Sequence, residues 1–360
     1  MRKSGRWKTL ALPVAGVALL AGLAFGFGGF GQNAATPAGP AGPAGPRARL
    51  RLAYFPNLTH APALVGVGQG RFQQELGRSA GVDTRVFNAG PEEMEALLAG
   101  EVDLGYVGPS PALNTYVKSG GRALRILAGA CSGGASLVAR ADTNITGIRD
   151  LDGRRVADPQ LGGTQDVSLR HFLAANGLRP KEKGGSVQIL PVKNPDVLPL
   201  FLKKEIDAAW VPEPWATRLI EEAGARRVID ERDLWRERRF ATTVVVARAA
   251  FLRDHRPEVQ AVLRAHLRAV DWLRQHPSEA QVVANQELKR LTGKALPDAV
   301  LREAWGRLDF TPDPNRASIE AFVQAAQDAG YLQERSVDLA ALFDLDPLRD
   351  AGFHLASTGR

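Results

Sequence analysis

The sequence predicts an α/β protein of two similar lobes with a cleft between them. Its 360 residues are 44% hydrophobic and 24% charged, a globular composition in a chain long enough for two lobes. Residues 155–177 follow the order of strand, glycine turn and helix. Residues 101–112 recur in similar form at 205–216. A strand-turn-helix order and a repeated unit together indicate one β-α-β unit in each lobe.

The central unit, residues 155–177, predicts a strand over 155–158, a turn over 159–163 and a helix that begins at Thr164. Thr164 is the expected N-cap, because its hydroxyl can accept from a free N–H of the first turn. Asn176 and Gly177 predict the helix end. The first turn of this helix, from Gly163 to Gln165, would present unpaired N–H groups to a small anion. An ordinary strand-to-helix turn accounts for the same residues.

Composition excludes several classes of function. The formal charge is +7, but four of the basic residues lie within the first eight, and no basic stripe with interleaved aromatics follows. We therefore expect no nucleic-acid partner. A single cysteine, Cys131, excludes an intrachain disulfide and a multi-cysteine metal site. No metal or nucleotide signature is present in the sequence, so we predict neither a metal nor a cofactor.

The N-terminal segment predicts export. An uncharged apolar run over 9–31 follows the basic residues, and a Pro/Gly/Ala segment follows in turn. Residues 1–35 are therefore a signal peptide or, since the run is long enough to span a bilayer, a retained membrane anchor. Residues 36–48 are a stiff spacer. No cysteine follows the apolar run, which excludes a lipid-modified N-terminus.

The folded part begins with a strand over 50–55, a loop, and a helix from Ala61. Asn57, Thr59 and His60 therefore lie between the carboxyl end of a strand and the start of a helix, where ligands bind in α/β sheets. Simple capping by Thr59 and a hydrogen-bonded surface histidine at His60 are the alternatives.

The repeat places two proline-rich turns at equivalent strand ends. Ser110 in the first turn could donate its hydroxyl to an oxyanion, or it could simply form the turn. In the second turn Trp210 and Trp215 could wall a cleft, although large aromatics more often belong to the core. Glu213 could pair with an amine on the ligand, with Arg218 or with the other lobe.

The remaining pattern predicts strands and then helices. Strands are expected over 84–88, 123–130, 135–140, 227–230 and 242–247, with 135–140 and 242–247 as a pair of strands that join the lobes. Helices are expected over 92–98, 259–274, 277–292, 299–308 and 316–329. From Ala249 onward we expect nearly continuous helix that completes the first lobe.

With these elements in place, the sequence resembles the extracytoplasmic substrate-binding proteins of ABC importers, in the aliphatic sulfonate, taurine and nitrate branch. The resemblance covers residues 50–345. It is carried by the segments 54–61, 88–90, 101–112, 129–136, 150–153, 162–166 and 210–216.

The resemblance implies a two-lobe periplasmic-binding-protein fold of type II, with two hinge crossings and a ligand cleft between the lobes. It implies a first lobe of residues 49–139 and 241–345, a second lobe of 140–240 and a C-terminal tail of 346–360. It implies a periplasmic or otherwise extracytoplasmic monomer that serves an ABC permease and ATPase, and it does not imply an enzyme. The implied ligand-binding residues are Asn57, Thr59, His60, Ser110, Gly163, Thr164, Gln165, Trp210, Glu213 and Trp215.

The implied ligand is a small organic anion, with an aliphatic sulfonate or a taurine-like molecule first. Sulfonate binders of this family usually have more small hydroxyl residues at the helix start, where Gln165 and Asp166 stand here. The first loop also resembles that of binders of a thiamine pyrimidine precursor. An enzyme on the same scaffold, such as a pyrimidine synthase using His60 and Glu213, and a membrane-tethered sensor domain are further alternatives.

Overall fold

The computed structural model describes residues 49–333 and 338–353. The predicted signal or anchor over 1–35 and the predicted spacer over 36–48 lie outside these residues, as do residues 354–360 of the predicted tail. Within the described part the chain alternates strands with helices, as the hydrophobic pattern predicts.

The strands form two separate sheets. They are β1 Arg49–Tyr54, β2 Gly81–Val86, β3 Leu104–Val107, β4 Leu124–Gly133, β5 Ala135–Ala139, β6 Arg155–Asp158, β7 Gln188–Pro191, β8 Ala208–Pro212, β9 Arg226–Asp230, β10 Ala241–Arg248 and β11 Leu308–Phe310. The six-stranded sheet has the order β11-β4-β10-β3-β1-β2, and the five-stranded sheet has the order β7-β6-β8-β5-β9. We call the six-stranded sheet and its helices the first lobe, and the five-stranded sheet and its helices the second lobe. The predicted α/β fold class is confirmed.

The helices connect and cover the strands. They are α1 Ala61–Gly68, α2 Arg71–Leu76, α3 Gly90–Leu98, α4 Pro109–Lys118, α5 Thr164–Ala175, α6 Asn194–Leu202, α7 Trp215–Ala223, α8 Ala249–Asp254, α9 Arg256–Gln275, α10 Pro277–Thr292, α11 Asp298–Trp305, α12 Arg316–Asp328 and α13 Asp346–Asp350. Short 3₁₀ turns lie at Leu58–His60, Ile148–Leu151, Lys181–Lys183, Glu231–Leu234, Arg236–Arg238 and Ala340–Leu342. The tail predicted from residue 346 thus begins with a helix, and its Leu348 is buried.

The two lobes contain the same parallel β-α-β arrangement. β1 pairs with β2 and β3, and β6 pairs in the same way with β7 and β8. In the first lobe both nitrogens of the Arg51 fork donate to Asp103, at 2.9 and 2.6 Å. In the second lobe Arg155 makes the equivalent bonds to Asp207, at 3.1 and 2.9 Å. The same sequence offset relates both pairs, which confirms the repeat predicted from the sequence.

The chain crosses between the sheets in loops. The first crossing lies at Gly133 and Gly134, between β4 and β5, and both glycines have a positive φ of 74° and 75°. The return lies between β9 and β10. The prediction that the strands over 135–140 and 242–247 themselves join the lobes is wrong, because β5 lies wholly in the five-stranded sheet and β10 in the six-stranded sheet, and the crossings precede them.

Helices account for most of the chain after β10, as predicted, and they pack on the first lobe. Ala265, Val262 and Leu273 of α9 are buried in the core formed with β1 and β3. The short strand β11 interrupts the helices and pairs with β4. Cys131 lies in the same core, where burial raises the pKa of its thiol.

Candidate ligand-binding site

A small cavity lies between the lobes, at the carboxyl ends of strands from both sheets. Its volume is about 40 Å³. The first lobe contributes Phe55, Asn57, Thr59, His60, Asn88, Ala89, Gly90, Gly108, Pro111 and Thr242. The second lobe contributes Pro159, Gln160, Gly163, Thr164, Gln165, Asn194 and Pro212. Ligands of open α/β sheets bind at this edge, because the strand-to-helix turns meet there. We call this cavity the seat.

The starts of four helices reach the seat. Gly90 and Asn194 are the first residues of α3 and α6, and Gly108 and Gly163 are the N-caps of α4 and α5. None of these four ends has a side-chain cap. The first N–H groups of a helix have no partner within the helix and carry a partial positive charge. Their convergence therefore favours a bound anion.

Hydrogen bonds to a buried carboxylate hold the turn before α5 in place. Gly162 has a φ of +74°, and a Cβ on Gly163 would meet the carbonyl oxygen of Gln160 at 2.9 Å, so both positions favour glycine. The Gly162 N–H donates to the carboxylate of the buried Asp166 at 2.8 Å. Arg170 donates to the same carboxylate at 2.7 Å, and the Tyr331 hydroxyl does so from the first lobe. These bonds fix the turn without occupying the seat.

Thr164 does not cap α5, so that prediction is wrong. Gly163 is the N-cap, and Thr164 is the first helical residue. Thr164 is only 4% exposed, and its Oγ1 has no hydrogen-bond partner. A Cβ on Gly108 would overlap this hydroxyl, which places it against the turn of the opposite lobe. The hydroxyl is therefore available to a molecule in the seat.

Two carboxamide oxygens of the seat are also without partners. They are Oδ1 of Asn194, which is 3% exposed, and Oε1 of Gln160. A buried polar group without a hydrogen bond costs roughly 1–3 kcal/mol. Three such groups around one cavity indicate that the cavity is built for a polar guest.

The seat carries no formal charge. No Lys, Arg, Asp or Glu is among its lining residues. His60 is buried, and burial lowers its pKa to about 3, so its imidazole is neutral. Its Nδ1 accepts from the Phe55 N–H at 3.3 Å, and its ring stacks on the Phe55 ring. An anion would therefore be held by helix ends and neutral donors, without a cationic side chain.

One hydrogen bond joins the lobes beside the seat. The Trp215 indole N–H donates to Oδ1 of Asn57 at 2.8 Å, and both side chains are buried. Asn57 belongs to the first lobe and Trp215 to the second, so this bond requires the lobes to be closed.

Six of the predicted site residues line the seat together: Asn57, Thr59, His60, Gly163, Thr164 and Gln165. The other four predicted residues are not among its lining residues: Ser110, Trp210, Glu213 and Trp215. Trp215 does not line the seat, but it is hydrogen-bonded to Asn57, which does. The Ser110 hydroxyl is buried in the first turn of α4 and has no partner.

Trp210 and Glu213 lie away from the seat for different reasons. The Trp210 ring stacks on Phe172 inside the second lobe, and its N–H donates to Glu231 at 2.6 Å. Glu213 is fully buried and accepts from Arg227 at 3.1 Å and from the Thr217 N–H at 3.0 Å. Burial still raises the pKa of Glu213. Its carboxylate is thus engaged within its own lobe, and neither Arg218 nor an amine on a ligand is its partner.

The sequence reasoning missed several lining residues: Asn88, Gln160, Asn194 and Thr242. Asn194 could have been found from the repeat. It stands at the start of α6, at the same offset from Gly90 that relates Asp207 to Asp103. Extending the repeat from the strands to the preceding helices would have brought both residues into one cavity.

Among residues 49–333 and 338–353, no helix combines the length and the apolar character needed to cross a bilayer. Over those same ranges, no three His, Cys, Asp or Glu side chains come together as a metal site would require.

A model of the NMT1-like family matches residues 43–286. The taurine-binding periplasmic protein of Escherichia coli K12 is 28% identical over 281 residues, which are 76% of this chain and 83% of that protein. The motif-based resemblance is confirmed.

Solved structures match the fold over most of the chain. The alkanesulfonate-binding protein SsuA from Xanthomonas axonopodis pv. citri, bound to MOPS, has a TM-score of 0.68 at 20% identity and covers 83% of this chain and 99% of its own. The periplasmic nitrate-binding protein NrtA from Synechocystis PCC 6803 has a TM-score of 0.69 at 16% identity, with coverage of 85% and 88%. The predicted two-lobe fold is confirmed.

Proposed function

The chain belongs to the NMT1-like family, and from this premise we propose that it is an extracytoplasmic solute-binding protein that captures a small organic anion in the seat. The first choice of ligand is an alkanesulfonate. The protein would then deliver the anion to the permease and ATPase of an ABC importer. The single observation that carries the proposal is the meeting of four uncapped helix starts with the unpartnered Thr164 hydroxyl.

The proposed mechanism is closure of the lobes around the anion. Amide N–H groups of Thr164 and Gln165 and the Thr164 hydroxyl would donate from the second lobe. From the first lobe only the non-proline amides at the starts of α3 and α4 could donate, because Pro91, Pro109 and Pro111 have no N–H. Each hydrogen bond to a charged group contributes roughly 1.5–3 kcal/mol. Four or five of them can therefore reach a micromolar Kd, which corresponds to about 8 kcal/mol, after closure and desolvation are subtracted.

The ligand favours closure because only the closed state brings both sets of donors to it. A ligand shifts a conformational equilibrium by its difference in affinity for the two states. The bond between Trp215 and Asn57 forms in the same state and adds to this preference.

Calorimetric titration of the exported chain tests the proposal. Methanesulfonate, longer alkanesulfonates, taurine, nitrate and an aminopyrimidine form the panel. We expect saturable one-to-one binding of the sulfonates. Binding of the aminopyrimidine alone, or of no compound in the panel, would overturn the anion assignment.

A further inference from the structure

Two buried carboxyl groups lie beside the turn that forms part of the seat. Asp158 is the last residue of β6 and precedes Pro159, and Asp166 is in the first turn of α5. Both side chains are fully buried, and the Asp166 carboxylate lies within hydrogen-bonding reach of Asp158. Because both residues belong to the second lobe, they stay together when the lobes open. We call them the acid pair.

The partners of Asp166 show that this member of the acid pair is ionised. Its Oδ1 accepts from Nε of Arg170 at 2.7 Å, in a buried ion pair. Its Oδ2 accepts from the Gly162 N–H at 2.8 Å and from the Tyr331 hydroxyl. A carboxylate can accept about four hydrogen bonds, so Asp166 has room for one more donor.

The surroundings of Asp158 require this member to be neutral. In the part of the chain that the structure describes, neither of its carboxyl oxygens has a donor in hydrogen-bonding geometry. A buried carboxylate without donors is costly, whereas the protonated acid can donate to Asp166. Burial and then the Asp166 charge raise the pKa of Asp158 well above its usual value, and Arg170 and the nearby Gln160 N–H oppose this only in part. The acid pair therefore holds one proton.

The acid pair and the seat share one turn. Pro159, next to Asp158, lines the seat, as do Gln160 and Gly163. The bond from the Gly162 N–H to Asp166 fixes the same turn. Loss of the proton would place a second negative charge beside a seat that has no cationic side chain among its lining residues. It would also leave two carboxylates in contact, which is unfavourable.

We infer that anion binding in the seat is linked to this proton, and that Asp158 is a positioning residue that must be protonated for tight binding. The inference rests on the proposed function and adds a regulation of that site by pH. A bound anion favours the protonated acid pair, and the protonated acid pair in turn favours the anion.

The other charged groups near the acid pair do not take the place of the proton. Arg170 also donates to the exposed Glu182. Tyr331 is neutral, since burial and the Asp166 charge raise the pKa of its hydroxyl. The strands β7 and β8, which flank β6, contain no titratable side chain. Charged groups on the adjoining helices and turns are paired or exposed: His171 with Asp328, Lys183 on the Ala329 carbonyl, Lys193 with Glu92, and exposed Asp196 and Lys181.

One buried acid of the first lobe provides a control. Glu93 is in α3, whose start reaches the seat, and neither of its carboxyl oxygens has a partner among the described residues. Burial raises the pKa of Glu93 well above its usual value. A Cβ on Gly105 would overlap its Oε1, so this carboxyl lies against β3 rather than against the acid pair. His60 stays neutral above pH 6, because burial lowers its pKa to about 3.

The first test is calorimetric titration with methanesulfonate at pH values from about 6 to about 9.5. Two like charges about 10 Å apart inside a protein change an affinity by about tenfold. We expect a constant Kd at the lower pH values and a rise of about tenfold as Asp158 loses its proton. In that range binding should take up a proton, so the binding enthalpy should vary with the ionisation enthalpy of the buffer. A Kd and an enthalpy that depend on neither pH nor buffer would overturn the inference, although methanesulfonate binding would still support the proposed function.

Two matched variants assign the proton to one carboxyl group. Asp158→Asn keeps the size of the side chain and can still donate to Asp166, but it cannot ionise. It should lose both the pH dependence of the Kd and the proton uptake. Glu93→Gln should keep both. Loss of the pH dependence in Glu93→Gln and its retention in Asp158→Asn would contradict the assignment.

A measurement on the ligand-free protein needs no binding at all. The carbon-13 chemical shift of the Asp158 carboxyl, followed against pH, should show a midpoint well above about 3.9, the value of an ordinary aspartate. Methanesulfonate should move this midpoint to higher pH. A midpoint near that of an ordinary aspartate would overturn the inference even if methanesulfonate binds.

Discussion

Replacing Thr164 by valine should change binding and stability in opposite directions. Valine keeps the shape of threonine and removes a hydroxyl that is buried without a partner. Removal of an unsatisfied buried hydroxyl stabilises the folded state by roughly 1–3 kcal/mol. The gain is smaller where the ligand-free cleft opens and lets water reach the hydroxyl. We therefore expect the free energy of unfolding of the ligand-free protein to stay unchanged or to rise by up to about 1 kcal/mol.

The same substitution should weaken methanesulfonate binding. Loss of one hydrogen bond to a charged head group costs about 1.5–3 kcal/mol, or roughly tenfold to a hundredfold in Kd. Calorimetry measures the affinity, and urea denaturation measures the stability.

Thr217→Val is the matched control. The Thr217 hydroxyl is fully buried but accepts from Arg227 at 3.3 Å. This variant should lose about 1 kcal/mol of stability with its affinity unchanged. If Thr164→Val instead lost stability and kept its affinity, the hydroxyl would be a structural group, and the reasoning about the seat would be refuted.

Three further predictions concern other contacts. Asn57→Ala leaves the Trp215 N–H without its partner in the closed state, so calorimetry should find methanesulfonate binding weakened by about fivefold. An unchanged Kd would contradict a role of this hydrogen bond in closure. Glu213→Ala leaves the Arg227 guanidinium without its counter-charge, so the free energy of unfolding measured in urea should fall by about 3–5 kcal/mol. Glu320→Ala breaks an exposed ion pair, so it should lower the free energy of unfolding by less than about 1 kcal/mol. Similar losses in the two variants would contradict the argument from burial. Burial lowers the pKa of His60 to about 3 in the folded state, so the unfolded chain binds the proton first. The contribution of His60 to the free energy of unfolding should therefore fall by about 2 kcal/mol from pH 7 to 5, and parallel pH profiles of wild type and His60→Gln would contradict this.

Strong local signals made much of the fold predictable from sequence. The strand over 155–158 and the helix over 277–292 agree with the structure to the residue, and α5 begins at Thr164, one residue earlier than an N-cap at Thr164 would give. Glycine and proline mark these boundaries, and their conformational limits act locally. The repeat was predictable because a buried Asp that pairs with an Arg on the first strand of the β-α-β unit recurs in both lobes.

Features that depend on tertiary contacts were predicted incorrectly from the sequence. Trp210 stands on β8 and pairs with Leu137, and its side chain faces the core of the second lobe. A repeat alignment gives the end of a strand but not the face to which each side chain points. β11 has three residues and forms only by pairing with β4, so no periodicity reveals it.

For the same reason, only part of the seat could be predicted from the sequence. Residues beside a glycine or proline turn, such as Thr59 and Gly163, could be placed at strand ends from sequence alone. Gln160 and Asn194 become site residues only when two sheets bring separate turns into contact, which a single sequence does not reveal.

The most direct test of the central claim is to record amide proton and nitrogen chemical shifts during titration with methanesulfonate. The account predicts that the amide shifts of Thr164 and Gln165 change most, and that they saturate with the Kd found by calorimetry. The amides of Arg316 and Ala317, at the start of α12, should stay still. Saturable binding with the largest shifts far from the start of α5, or no shifts there at all, would contradict the claim that a helix start between the lobes holds the anion.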